Sequence, residues 1–391
     1  MKFPCPRCPS TRRSRCSDAR VPWRADSSPE HGGPSVRGGG CASGSVGTPF
    51  MRRILITLPL ADSTVERLRA AFPACDIQVW NDGGPAFART PSTISADVWR
   101  DVEVLFTFRS LPKPEDAPAL RWIQLNTAGA DTLLGGPLVE RGVAVTTASG
   151  IHAIPMAEYV FAMLLGWCRR LPEMLTWQRR SQWPEAADRE RLFVPREIHG
   201  QTLGIVGYGS IGRHVARLAK AFGMRVLAMR RGERREHGFT VPGTGDPEGT
   251  LPDRYVEPDA LHELLTESDV VLNALPLTAQ TRNYFGREAF AAMRSNAIFI
   301  NIGRGATCDE EALAQALRER RIEAALLDVF AQEPLPSSSP LWGLQGVMIS
   351  PHVAGWAPNY NERATELFAE NLRRYAAGEP LLNRLDPARG Y

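Results

Sequence analysis

The chain has no apolar run long enough to cross a bilayer, which takes about eighteen residues or more. The stretch YVFAMLLGWC, Tyr159 to Cys168, is too short, so the chain reads as soluble, with no membrane partner. A charge excess of one sign is missing as well: the net charge is +3 over 391 residues. Residues 1–50 hold eight Lys/Arg against three Asp/Glu, which leaves 38 against 40 for the remainder. A body so balanced offers no electrostatic case for nucleic acid.

Cysteine is scarce beyond residue 50. Cys75, Cys168 and Cys308 are scattered, as in a reducing compartment, and a cytoplasmic location is expected. Cys5-Pro-Arg-Cys8 has the spacing of half a zinc site, but Cys16 and Cys41 do not supply the second close pair, and no metal is expected. Residues 1–50 are rich in Pro, Gly, Ser and Arg and lack the apolar core of a secretory signal. An organellar presequence is conceivable there, though the prolines and glycines argue against an amphipathic helix. The expectation is a disordered tail, or sequence ahead of a true start at Met51, where MRRILITLPL begins.

What remains has length for two domains, and 43% hydrophobic residues is ordinary for a globular chain. Short β-rich runs at 53–58, 103–108, 121–126 and 143–148 alternate with helical stretches. The first helix carries Ser63 and Glu66 in capping-box spacing. A long apolar helix, 154–170, and a polar connector, 179–200, follow. Strand candidates then resume at 202–207, 225–229, 270–275, 297–302, 323–329 and 347–350, and a last helix spans 357–377. The alternation predicts an α/β protein with two doubly wound parallel-sheet domains. The last helix is long enough to return to the first domain. The expected division is therefore residues 51–152 with 351–391, and 153–350.

One more absence is informative. GYGSIG follows the strand at 202–207 and precedes a helix, with Gly207, Tyr208, Gly209, Ser210, Ile211 and Gly212 forming the turn. In that context the pattern reads as a dinucleotide site, with glycines letting the backbone approach the pyrophosphate at a helix N-terminus. About twenty residues on, such a unit normally offers Asp or Glu to the adenosine ribose. Here VLAMRRGERRE offers Arg230 and Arg231, then Arg234 and Arg235. A guanidinium would pair with a 2′-phosphate and stack on adenine, so NADP(H) is preferred, with NAD(H) possible. The alternative is a solvated loop, since Glu233 and Glu236 interrupt the arginines.

Polar groups also close three later strands, in INIGRGATCDEEAL, ALLDVFAQEPLP and SPHVAGW. Taken in order after GYGSIG and LPLTAQTRN, these segments resemble the D-isomer-specific 2-hydroxyacid dehydrogenases from about Met51 to the end, apart from a longer loop at 232–257. Within that family the chain is most similar to the NADPH-dependent glyoxylate/hydroxypyruvate reductase (2-ketoacid reductase) branch.

The resemblance implies a Rossmann-type cofactor domain and a discontinuous flavodoxin-like substrate domain. It makes Arg304 the anchor of the substrate carboxylate and 2-oxo oxygen, His352 the acid/base, and Glu333 its partner. Pro276 and Asp328 would line the cofactor site, Asp328 at the nicotinamide carboxamide. The backbone of Ala128 and Gly129, in NTAGAD, would grip the carboxylate. Arg109 either lines the cleft or is exposed and uninvolved. The chemistry agrees: a histidine beside a carboxylate can hand a proton to an oxygen as hydride arrives, and a planar guanidinium suits a 2-oxo acid. A homodimer is expected through the 154–200 region. His152, His199, His214 and His262 read as structural, and Cys308 as packing. Two other readings stand beside the NADPH-linked reductase. One is an NAD-preferring D-2-hydroxyacid dehydrogenase. The other is a dinucleotide-sensing, corepressor-like binding protein of the same fold. Glu333 speaks against a formate dehydrogenase, in which Gln takes that place.

Overall fold

The computed structural model describes residues 52–80, 94–130, 133–230 and 238–387. The expectations for residues 1–50 lie outside them. The described residues fall in one compact unit, Pro49–Tyr391, which contains two parallel sheets, as expected.

The first sheet comprises β1 (Arg52–Ile56), β2 (Cys75–Val79), β3 (Val104–Thr107), β4 (Trp122–Leu125) and β5 (Ala144–Thr146), in the order β2-β1-β3-β4-β5. That is the flavodoxin-like order. The second comprises β6 (Thr202–Val206), β7 (Arg225–Met229), β8 (Arg254–Val256), β9 (Val270–Asn273), β10 (Ile298–Asn301), β11 (Ala324–Leu327) and β12 (Val347–Ile349). Its order, β12-β11-β10-β9-β6-β7-β8, is a Rossmann arrangement with one further strand. Strand order reverses at β6, so a crevice opens outside the carboxyl ends of β6 and β9, where ligands of open α/β sheets bind.

The predicted strands are present with small shifts at their ends. Two strands had no signal in the sequence. In β2 only Ile77 is buried, and β8 has three residues, so neither shows a period. The polar connector also holds a helix, Ala186–Leu192, with no buried residue to betray it. The capping box is not formed. The first helix starts at Asp62, which puts Ser63 inside the first turn, and its N-cap, Ala61, makes no side-chain bond.

Two helices tie the sheets together. Ala153–Cys168 buries Ala157, Val160, Phe161 and Leu164 in the core around β6 and β9. Tyr360–Ala377 returns to the first sheet, burying Leu367, Phe368 and Leu372 against Ile54, Phe106 and Trp122. Phe368 stacks on Phe106 with centroids 4.5 Å apart and lies 5.5 Å from Trp122. After this helix the chain bridges β5 through Leu385 N–H to the Val145 carbonyl.

Phe368 is wholly buried. Phe368→Ala should therefore lower stability by about 3–5 kcal/mol, as a cavity between sheet and returning helix. Urea denaturation checks this. A loss under ~1 kcal/mol would mean that the helix contributes little to the first domain.

Candidate active site

Each candidate group of the second sheet follows a strand: Gly207 after β6, Arg230 after β7, Pro276 after β9, Arg304 after β10, Asp328 after β11 and His352 after β12. Parallel strands put all these ends on one edge.

At the glycine turn, Gly207 has φ +106°, and a Cβ at Gly212 would lie 2.5 Å from the Gly207 carbonyl oxygen. A Cβ at Gly209 would meet nothing within 4 Å. The turn is thus tight where strand meets helix and open on its outer side, where the helix Ser210–Ala221 directs its free N–H groups. That open side fits a dinucleotide pyrophosphate. Ser210 opens the helix, and Ile211 packs on the core beneath. Tyr208 is buried, with its hydroxyl 2.7 Å from Asp246, and burial together with that carboxylate pushes its pKa up. The Arg230 guanidinium carbon lies over Tyr255, 4.3 Å from the ring centroid. Arg231, Arg234 and Arg235 lie outside the described residues. Pro276 is exposed, and its carbonyl accepts from the Thr281 hydroxyl.

The Arg304, Glu333 and His352 segments converge. The His352 Nδ1 is 2.7 Å from Glu333 Oε2, and the other Glu333 oxygen accepts the Phe330 N–H at 3.0 Å. Burial raises the Glu333 pKa, but the His352 and Phe330 hydrogen bonds and the nearby His352 and Arg304 charges outweigh it and leave the pKa lowered. Gly305 brings Arg304 to this pair. A Cβ there would overlap the Phe330 carbonyl carbon, so the two backbones touch only because the residue is glycine. His352 has φ +55°, a left-handed conformation held by neighbours. Asp328, with no exposed surface, accepts from the Ser350 hydroxyl at 2.5 Å and from the Val353 and Ala354 N–H groups at 2.9 Å. The histidine loop therefore hangs on Asp328.

The substrate-side candidates come from the first sheet. Ala128, exposed, and Gly129 follow β4, and the Thr127 hydroxyl braces their turn by donating to the Gly129 carbonyl. Arg109 is exposed after β3, its guanidinium 4.7 Å from the Phe108 ring centroid.

Several contributors had no motif to mark them. Buried Asn273 donates to Asn301 and Thr307 and accepts the Leu275 N–H, which locks the ends of β9 and β10 beneath Arg304. Tyr159 bonds Ser350 at 2.6 Å. His152, read as structural, is buried and bonded to Tyr360. Cys308 packs in the core as expected, burial pushing its thiol well up. Among the described residues no group of three His, Cys, Asp or Glu is placed to hold a metal, and no helix is long and apolar enough to cross a membrane.

Residues 161–354 match the model of the D-isomer specific 2-hydroxyacid dehydrogenase NAD-binding domain. The chain is 33% identical over 331 residues to a glyoxylate reductase of Korarchaeum cryptofilum, covering 84% of this chain and 93% of that protein. Among solved structures it resembles a D-isomer specific 2-hydroxyacid dehydrogenase from Xanthobacter autotrophicus, in complex with NADPH and MES. The TM-score is 0.68 and the identity 28%, covering 87% of this chain and all of that one. It also resembles an NADPH-dependent glyoxylate/hydroxypyruvate reductase from Sinorhizobium meliloti, in complex with NADP and sulfate. There the TM-score is 0.66 and the identity 25%, over 87% of this chain and all of that one.

The lowered Glu333 pKa makes a pH-dependent prediction. A carboxyl whose folded pKa lies below its unfolded value of about 4.3 contributes stability above that value and loses it as pH falls through the folded pKa. The gap in urea midpoint between wild type and Glu333→Gln should narrow as pH is lowered from neutral through the carboxylate range. A gap independent of pH would show that these contacts do not hold the carboxylate charged.

Proposed function

Because the chain belongs to the D-isomer-specific 2-hydroxyacid dehydrogenase family, we propose that it reduces a 2-oxo acid to the D-2-hydroxy acid with NADPH. Glyoxylate, hydroxypyruvate or a larger 2-oxo acid is the substrate. The observation that carries the reading is the convergence of Arg304 with the His352–Glu333 pair, 2.7 Å apart, on the sheet edge that also carries the open glycine turn.

When bound, the dihydronicotinamide supplies hydride to the carbonyl carbon. Arg304 pairs with the carboxylate and the 2-oxo oxygen of the substrate and orients the carbonyl. The N–H groups of Ala128 and Gly129 hold the carboxylate from the other sheet, with Arg109 at the cleft edge. The Nδ1 of His352 is engaged by Glu333, which leaves Nε2 to deliver the proton to the oxygen as charge develops there. Glu333 keeps the ring oriented. Asp328 fixes the loop that carries His352. Its expected contact with the carboxamide would share oxygens that already accept three hydrogen bonds.

The preference for NADPH rests on the missing carboxylate after β7 and on Arg230, whose guanidinium stacks on Tyr255 at that strand end. Two of the similar structures hold NADPH or NADP. The division at 152 and 351 belongs to the same proposal, as do a cytoplasmic location and a homodimer. The helix Leu171–Arg179 buries no residue and exposes Leu171, Met174 and Leu175, with Trp183 85% exposed just beyond it. Such a patch suits a self-association surface.

Steady-state reduction of glyoxylate, hydroxypyruvate and phenylpyruvate with NADPH and with NADH tests the reading. Turnover at about one per second or more is expected, with NADPH favoured. Nucleotide binding without turnover would favour the sensor. Arg230→Asp should shift kcat/KM toward NADH by about tenfold or more, since a carboxylate repels the 2′-phosphate and binds the 2′-hydroxyl. An unmoved ratio would return the arginines to solvent. His352→Gln should lower kcat by about 10²–10⁴ while NADPH binding, followed by fluorescence, stays intact. Unchanged kcat would remove His352 from the chemistry.

A further inference from the structure

His152 precedes the helix Ala153–Cys168, which packs with the second sheet, and Tyr360 opens the helix that returns to the first. Their side chains meet across the two crossings. The His152 Nε2 lies 3.0 Å from the Tyr360 hydroxyl, with the rings edge to face and centroids 5.1 Å apart. The same hydroxyl lies 2.6 Å from the Asn126 carbonyl oxygen, at the entrance to the turn that carries Ala128 and Gly129.

The proton positions follow from chemistry. A carbonyl oxygen only accepts, so the single Tyr360 proton points to Asn126 and the hydroxyl accepts from His152. The proton of the neutral ring is therefore on Nε2. Nδ1 has no hydrogen-bond partner among the described residues. A second proton there would be favoured by the Ala148 carbonyl. Burial, then the Arg304 charge, with Arg363 a smaller contributor, outweighs that and holds the pKa down at about 4. The ring is neutral and the chain of donors has one direction: His152 to Tyr360 to Asn126. The histidine loop rests on the same ring, since a Cβ at Gly355 would lie 3.0 Å from the His152 Cδ2.

We infer that His152 and Tyr360 are positioning residues for substrate binding. Through the Asn126 carbonyl they fix the peptide plane that leads into the 126–129 turn, and so set that turn against Arg304 and the His352 loop. This rests on the proposed 2-oxo acid reduction, in which that turn holds the carboxylate. The chain is a polar link with no net charge, so it orders the turn without competing with Arg304 for the anion.

The test is Tyr360→Phe in the full chain, which keeps the ring and deletes the bridge. KM for glyoxylate should rise about tenfold, ~1.4 kcal/mol of binding shared by ground and transition states, with kcat within about threefold of wild type. The Kd for NADPH should not move. His152→Gln, whose amide N–H can stand in for Nε2–H, should stay within about threefold of the wild-type KM, whereas His152→Leu should match Tyr360→Phe. Joining Tyr360→Phe to His152→Leu should add little to either alone. An unchanged KM in Tyr360→Phe would overturn the inference. So would a parallel loss in KM, kcat, NADPH affinity and melting temperature, the mark of general loosening. If Tyr360→Phe did not fold, His152→Gln against His152→Leu makes the same comparison, and equal KM values would overturn it. A wild-type protein inactive on all 2-oxo acids would overturn the functional reading, and this inference with it; wild-type turnover with an unmoved variant KM overturns the inference alone.

Discussion

A carboxylate without exposed surface is costly unless its oxygens are satisfied, and Asp328 meets that condition by gathering the loop that follows β12. Its partners are the Ser350 hydroxyl and the N–H groups of Val353 and Ala354, which bracket His352 on both sides. The requirement to satisfy Asp328 thus dictates where the imidazole begins its reach. It also holds His352 in a left-handed conformation that a free loop would abandon. Tyr159, from the helix Ala153–Cys168, completes the cluster through Ser350. The position of the histidine is thereby connected to the helix that leads from one sheet to the other.

The second constraint is steric. Gly305 allows the turn after β10 to lie against the Phe330 backbone, and this contact, more than any attraction between side chains, sets Arg304 beside Glu333. Any side chain at 305 would push the two segments apart and separate the guanidinium from the imidazole. Beneath them the buried Asn273–Asn301–Thr307 network gives the strand ends one arrangement, because each amide left unpaired would cost about 1–3 kcal/mol. Polar groups inside the sheet edge supply rigidity, and the groups read as chemically active sit on top of it.

The sheets were legible in the sequence because buried parallel strands read as apolar runs, whereas Arg304, Glu333 and His352 were singled out by the order of motifs that carries the family resemblance, and the structure brings the three segments together. What escaped reading was of two kinds. Edge strands such as β2, with Ile77 alone buried, and β8, with three residues, leave no periodic trace. Long-range polar links such as Asp328 to Ser350, 22 positions apart, or His152 to Tyr360, 208 apart, have no local pattern that encodes the pairing. His152 was visible as a histidine near the start of a helix, but its partner belongs to the far end of the chain.

The loop after β7, read from the sequence as longer than the family pattern, has contacts at both ends of its described part, from Gly238 onward. Near its start, Phe239 packs with the core of the first sheet and donates its N–H to Asn383, which also holds the Thr147 and Ser149 carbonyls. Farther on, Asp246 takes the Tyr208 hydroxyl and the Thr250 and Leu251 N–H groups. Tyr255, in β8, sets its ring edge-on to Tyr208 and under Arg230. A guanidinium on a long, flexible stem loses entropy when it binds a phosphate, and a ring that already holds it in place reduces that loss. The segment after β7 therefore also brings the platform on which Arg230 lies. The cofactor choice proposed for Arg230 then depends on a segment that touches both sheets.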